Sequence, residues 1–378
     1  GDEWDIVEVK ASTKVKPENL HDVSFQKYCY EGAGLKIRNC YILHLNNEYI
    51  RNGEIDLKNL FVKTDITSDV NDLMPDIEDK ISELFEVINS DELPKIHTNP
   101  KCSGPDKCPL NDCWEFLPEH HVFHLYRGGK KSLELFEEGI YSIKDIPDEY
   151  KLTDKQHIQR TCDKESKIHI DKKEIKDFLD GLKYPLYYLD FETFTTAIPK
   201  FNGLKPYSQV PFQFSLHIVK EKGAEPEHHS FLYMGNDDPR KDLLYELKQV
   251  LGNKGSILVY YQPFEIKRLQ ELAESFPEYK QWVEELIPRI VDLLLPFRNF
   301  SYYNPVQKGS ASIKNVLPAL TGRSYKGMDI ADGGTASVEF YNMTYNGGKD
   351  VKAALLKYCE LDTLAEVEIV KALGEVLK

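Results

Sequence analysis

The chain has 378 residues, 41% of them apolar, with 22 Tyr and 18 Phe, enough for sizeable cores and about two domains. Its net charge of −14 argues against a broad basic surface for nonspecific duplex binding, although metal ions in an acidic site would offset the charge locally. No apolar run approaches the ~20 residues of a membrane helix, and the start is polar and acidic, so a soluble, cytoplasmic protein without a membrane partner is expected.

In chain order, "WDIVEVK" (4–10) and "LKIRNCYILH" (35–44) read as strands around a helix at 20–32. The first strand carries Glu8 and Lys10 as E-x-K, and the helix carries Gln26 and Tyr30 one turn apart. Residues 70–90 read as an amphipathic helix. An irregular stretch, 94–118, holds Cys102, Cys108 and Cys113, three of seven cysteines. Their spacing departs from the C-x-x-C pairs that zinc knuckles prefer, and the odd total argues against a disulfide scaffold. Short helices follow, with a turn at Gly139 and a stop near Pro147, and the charged segment 163–180 reads as a boundary. From 184 onward strands (about 185–194, 212–220, 228–234, 256–261) mix with helices (about 240–252, 265–275, 278–287, 312–320, 350–376), which suggests an α/β domain.

The chemistry concentrates in that second half. "YPLYYLDFETFTT" sets Asp190 and Glu192 two apart on an apolar strand, hence on one face. Neighbouring carboxylates repel unless a cation lies between them, and such hard oxygen donors suit Mg²⁺ or Mn²⁺. An edge strand with a solvated acidic face is the plain alternative. "DVKAALLKYCELDTLAEVEIVKAL" places Asp362 on the apolar stripe of the last helix, with Tyr358 one turn earlier; a satisfied buried Asp is the alternative there. Glu265 opens a helix after the strand "GSILVYY", where α/β folds collect their sites, or where the helix dipole favours an acid. Asp292, in "PRIVDLLLPF", is its rival.

This order (D-x-E on a first strand, an acid after a later strand, Y-x-x-x-D on a final helix) resembles the DnaQ-like, RNase H-fold 3′–5′ exonucleases of the DEDD group, and "YCELDT" its tyrosine-bearing subgroup. The resemblance implies that Asp190, Glu192 and Asp362 hold two metal ions, Mg²⁺ or Mn²⁺, with Glu265 where the group usually has Asp, and that Tyr358 orients the attacking water. Asp292 is the second choice for the fourth carboxylate. "KGSASIKNVLPAL" resembles the helix start before the last motif, with Ser310 or Lys314 touching substrate. Two metals activate a water and stabilise the leaving 3′ oxygen in such sites.

In the first half, the E-x-K strand and Q-x-x-x-Y helix resemble RecB-like PD-(D/E)XK nucleases. Glu8 would bind metal, Lys10 would polarise phosphate or water, and Gln26 and Tyr30 would support them. The upstream acid of that family is not matched, so a truncated, restriction-endonuclease-like remnant is expected in a fragment of a longer protein. Cys102, Cys108 and Cys113 resemble the late cysteines of iron–sulfur RecB nucleases, including CRISPR-associated ones, which implies a 4Fe–4S cluster, incomplete in this chain, or zinc. The whole chain resembles an uncharacterised bacterial family, filed as a domain of unknown function, with these parts in this order.

The expected organisation is a partial RecB-like core at 1–93, a cysteine-cluster segment at 94–125, a helical linker at 126–180 and an RNase H-like mixed sheet with flanking helices at 181–378. The expected function is a metal-dependent 3′–5′ exonuclease acting on the 3′ end of single-stranded DNA or RNA. The alternatives are a catalytically degenerate nucleic-acid-binding or scaffold component of a repair or defence complex, and a hydrolase of small phosphoesters.

Overall fold

The computed structural model describes residues 2–91 and 111–378, and its chain divides into two compact units. The first takes in Gly1–Ile96 and Thr195–Gln209, the second His97–Phe194 and Val210–Lys378.

In the first unit, strand β1 (Glu3–Lys10) runs parallel to β2 (Lys36–Leu45), and helix α1 (Pro17–Gly32) makes the crossover that parallel strands require. A short helix α2 (Leu57–Leu60) leads into β3 (Phe61–Asp65), which pairs antiparallel with β2. Ile6, Val23, Cys40 and Ile42 form the core with Val70 of α3 (Thr67–Leu73). The continuous helix expected over 70–90 is interrupted. Pro75 has no backbone N–H to donate, and a 3₁₀ turn, Met74–Asp76, separates α3 from α4 (Ile77–Ile88). The segment 195–209 belongs to this unit through Arg51, whose guanidinium donates to the carbonyls of Pro199 and Lys200 at 3.0 and 2.6 Å.

The second unit begins with α5 (Lys130–Glu137) and α6 (Asp154–Glu165), the latter opened by a Thr153–Gln156 capping box. Within the charged segment 163–180 lie the end of α6, the two-residue strand β4 (His169–Ile170) and helix α7 (Lys172–Asp180). The main sheet then follows: β5 (Leu186–Phe194), β6 (Val210–Val219), β7 (Glu227–Leu232), helix α8 (Arg240–Val250), β8 (Ser256–Val259), helices α9 (Gln262–Ser275) and α10 (Lys280–Leu286), and β9 (Ile290–Asp292). Helix α11 (Leu295–Arg298) leads to β10 (Tyr302–Tyr303), which pairs with β4. Three helices end the chain: α12 (Ile313–Thr321), α13 (Gly333–Tyr345) and α14 (Lys352–Val376).

The sheet order is β7-β6-β5-β8-β9. An antiparallel meander, β5-β6-β7, lies to one side of β5, and the parallel strands β8 and β9 lie to the other. Every residue of β6 is buried, as expected for a strand covered on both faces. One face carries Leu189, Phe191, Phe214 and Leu216 and packs on Leu243 and Leu247 of α8 and Leu269 and Leu272 of α9. The other presents Asp190, Glu192, Gln213 and Ser215 to α14, and Gln213 donates to the Leu355 carbonyl at 3.0 Å. The second unit is therefore a layered, mixed α/β structure, as the alternation of strands and helices predicts. Among the described residues no helix is long and apolar enough to cross a membrane.

Helix α13 is absent from the sequence expectations. Its first residues are Gly333 and Gly334, poor helix formers, and Asp332 caps it by accepting from the Thr335 amide at 2.9 Å. Its fully buried Phe340 stacks on Phe212 with ring centroids 3.7 Å apart and also meets Phe194. Phe340→Ala is expected to cost about 3–5 kcal/mol in urea unfolding. Val338→Ala, on the exposed face of the same helix, should stay within about 0.5 kcal/mol.

Candidate metal centre

Asp190 and Glu192 sit on the central strand, on the face that α14 covers. From α14 come Tyr358, Cys359, Asp362 and Glu366, all buried. Asp362 and Glu366 are one helical turn apart and share a face with Tyr358. Glu265, in the first turn of α9, is 2% exposed and adds a carboxylate from beyond the end of β8. The structure thus brings together Asp190, Glu192, Glu265, Tyr358 and Asp362, the residues singled out in this half.

The electrostatics follow from burial. Burial, then the charge of Asp362, holds the Asp190 carboxyl well above the usual range. Glu192 is raised by burial, Asp190 and Asp362. Glu265 is raised by burial, Asp190 and Glu192, with Arg268 opposing. Burial pushes Asp362 up to about 6, against hydrogen bonds from Tyr325 and Tyr358. Arg268 does not neutralise Glu265, because it pairs with Glu271 at 2.9 Å. Lys314 moderates Glu192 and Asp362 from a distance while its ammonium donates to the Ala331 carbonyl at 2.6 Å. Ser310, the other residue assigned to substrate, accepts from the Ser312 amide at 3.2 Å in the turn before α12.

Three contributors are missing from the sequence expectations. Tyr325, from an irregular segment with no motif, donates to Asp362 Oδ1 at 2.7 Å. The Cys359 thiol donates to Asp190 Oδ2 at 3.7 Å, and one ligand atom each from Asp190, Glu192 and Cys359 lie within 4.8 Å of one another. Glu366 is raised by burial and then by Asp190 and Glu265. A signal for it exists in the sequence: it follows Asp362 by four residues.

The donor set fits hard divalent cations. It is built from carboxylates that cannot share so small a volume while ionised without a cation. Oε2 of Glu265 and Oε2 of Glu366 are buried without a hydrogen-bond partner, as oxygens kept for such a ligand would be.

Asp292 has a different place. Its Oδ1 accepts from the amides of Tyr261 and Leu294, both at 3.0 Å. Tyr261 has φ +83°, in the left-handed region, and is the residue from which α9 starts. Asp292 therefore fixes the strained turn that aims Glu265.

In the first unit, Lys10 bridges Glu8 and Asp22 at 2.9 and 2.8 Å, and Gln26 donates to Glu8 Oε2 at 3.1 Å. Glu8, Lys10 and Gln26 are thus brought together, joined by Asp22, which belongs to no motif. Tyr30 is exposed one turn beyond Gln26. Cys102 and Cys108 lie outside the described residues. Cys113 is a free, half-buried thiol, and Cys40 and Cys162 are packed in separate apolar clusters.

The fold and these side chains define a mixed α/β protein with a buried carboxylate centre. Residues 187–312, which include Asp190, Glu192, Glu265 and Asp292, match the family described as "Domain of unknown function (DUF2779)". The chain is similar to the uncharacterized protein MG366 of Mycoplasma genitalium, 27% identical over 229 residues, covering 54% of this chain and 34% of that protein. Its Mycoplasma pneumoniae homolog is 27% identical over 242 residues, covering 54% and 36%. The uncharacterized protein UU173 of Ureaplasma parvum is 30% identical over 157 residues, covering 38% and 22%. The chain spans about a third of the length of the first two relatives. No solved structure matches.

Two outcomes follow. A carboxyl raised above its unfolded value near 4 gives stability that is present below that value and lost as pH rises through the folded value. In chelator, wild-type melting temperature should therefore fall between about pH 5 and 8, and Asp190→Asn, which cannot ionise at that position, should fall less. Asp292→Ala should cost about 1–3 kcal/mol in denaturant unfolding by orphaning two amides, and Asp292→Asn, which keeps an acceptor oxygen, should cost less.

Proposed function

We propose that the second unit is a metal-dependent 3′–5′ exonuclease that hydrolyses phosphodiester bonds of single-stranded DNA or RNA in its RNase H-like domain. The observation that carries this reading is the convergence of Asp190 and Glu192 from the central strand, Glu265 from the β8–α9 junction and Asp362 with Tyr358 from the last helix. The sheet supports the fold assignment: a central carboxylate-bearing strand, a meander on one side and parallel strands on the other.

In this account Asp190, Glu192 and Asp362 would hold two Mg²⁺ or Mn²⁺ ions, and Glu265 would complete the set. Bound there, the ions would supply the positive charge needed to activate a water and to stabilise a leaving 3′ oxygen. Tyr358, hydrogen-bonded to Asp362, orients the water, and Tyr325 holds the other side of that carboxylate. Lys314, whose charge lowers Glu192 and Asp362 from a distance, would meet the phosphate backbone. Cys359 and the apolar layer beneath β5 keep bulk water away, which strengthens every charge interaction. The first unit, with Glu8, Lys10 and Gln26 joined, is a PD-(D/E)XK-like unit whose role is to bind nucleic acid. In the same proposal Cys102, Cys108 and Cys113 would supply three of the four thiolates of a 4Fe–4S cluster, incomplete in this chain, or would hold zinc, and the location is cytoplasmic.

The test is digestion of 3′- and 5′-labelled single strands of DNA and RNA with Mg²⁺ or Mn²⁺. Mononucleotide release from the 3′ end is expected, with Asp190→Ala and Asp362→Ala each lowering the rate more than about a hundredfold. Activity that persists in both variants would remove this site assignment. Binding without turnover on every substrate would select the degenerate, scaffold role instead.

A further inference from the structure

A second cluster of ligating side chains lies where edge strand β7 and its neighbour β6 meet α14. His217 of β6 and His228 of β7 are cross-strand partners, and their rings stack with centroids 4.4 Å apart and planes 25° apart. Glu360 of α14 completes the group, its Oε1 3.7 Å from His228 Nδ1. One ligand atom from each of the three lies within 4.8 Å of the others.

We propose that His217, His228 and Glu360 form a binding site for a transition-metal ion, Zn²⁺ by its chemistry, that ties the β6-β7 hairpin to α14. Two imidazoles and one carboxylate are the donor set of three-ligand zinc sites. What separates this group from a casual polar patch is the set of hydroxyls behind it. Thr363 Oγ1 holds His217 Nδ1 at 2.8 Å, Ser215 Oγ holds His228 Nε2 at 2.9 Å, and the two hydroxyls meet at 2.7 Å. Each ring is thereby oriented through one nitrogen and keeps the other for a ligand, the arrangement that metal-binding histidines use.

The position gives the ion a consequence. Glu360 and Thr363 flank Asp362 in sequence. At 3.6 residues per turn, Glu360 points roughly 160° round the helix from Asp362. An ion held there fixes the rotation of α14, and with it Tyr358 and Asp362, without touching the carboxylate centre. A plain ion pair between protonated His228 and Glu360 is the competing account, and it needs no metal.

The full chain, stripped with chelator, is titrated with ZnCl₂ in excess Mg²⁺, which competes for the carboxylates. His228 and Glu360 are exposed, so His228→Ala and Glu360→Gln should stay folded, as circular dichroism would verify. Each is expected to lose one bound Zn²⁺ relative to wild type, or to weaken it more than tenfold. Thr363→Val should weaken it about 10–100-fold. Zn²⁺ should slow hydrogen exchange along α14 in wild type and not in His228→Ala. Any Zn²⁺ taken by the cysteines is common to all forms and cancels. Equal Zn²⁺ stoichiometry and affinity in wild type and His228→Ala, or no Zn²⁺ bound by wild type, would overturn the proposal whatever the nuclease assay shows.

Discussion

The mutual repulsion of buried carboxylates where β5 meets α14 sets the terms for the second unit. Asp190, Glu192, Glu265, Asp362 and Glu366 each raise at least one neighbour's proton affinity or are raised by one, and burial raises them all. An apolar core would be more stable with Leu or Gln in these places. The chain instead devotes tyrosine hydroxyls, a thiol and a strained turn to holding the acids together.

The sheet explains how this is achieved. Central strand β5 needs an apolar face for α8 and α9 and receives it from Leu189 and Phe191. Its alternate residues are then free to carry charge toward α14. The turn after β8 starts α9 with Tyr261 in a left-handed conformation, pinned by Asp292, which brings Glu265 in from the strand end. Further along the same sheet face, the His217–Thr363–Ser215–His228 network fastens the same helix to the hairpin. Two sets of polar contacts thus hold α14 on the sheet, and its rotation decides whether Tyr358 and Asp362 meet the strand acids.

Much of this is legible in the amino-acid order alone. Period-two placement puts Asp190 and Glu192 on one face, and period-3.6 placement puts Tyr358 and Asp362 on the buried stripe. What local pattern does not supply is the partners that the tertiary fold brings in. Tyr325 comes from a segment without periodicity, and Cys359 reads as an ordinary core residue. Asp292 resembles a ligand because the sequence shows an acid in an apolar strand but not the two amides it accepts from. Helix α13 is hidden because its double glycine start masks a buried aromatic face, and the break at Pro75 is hidden inside a strongly amphipathic run. His217 and His228 come together only through the register of β6 on β7, which sequence leaves open.

The most direct measurement is calorimetric titration of the chain with Mn²⁺ near pH 7 in two buffers of different ionisation enthalpy. The account predicts Mn²⁺ binding accompanied by proton release, because carboxyls raised by burial must ionise to accept the ion, and loss of that proton release in Asp190→Asn. Absence of Mn²⁺ binding at millimolar concentration, or binding that the substitution leaves unchanged, would contradict it.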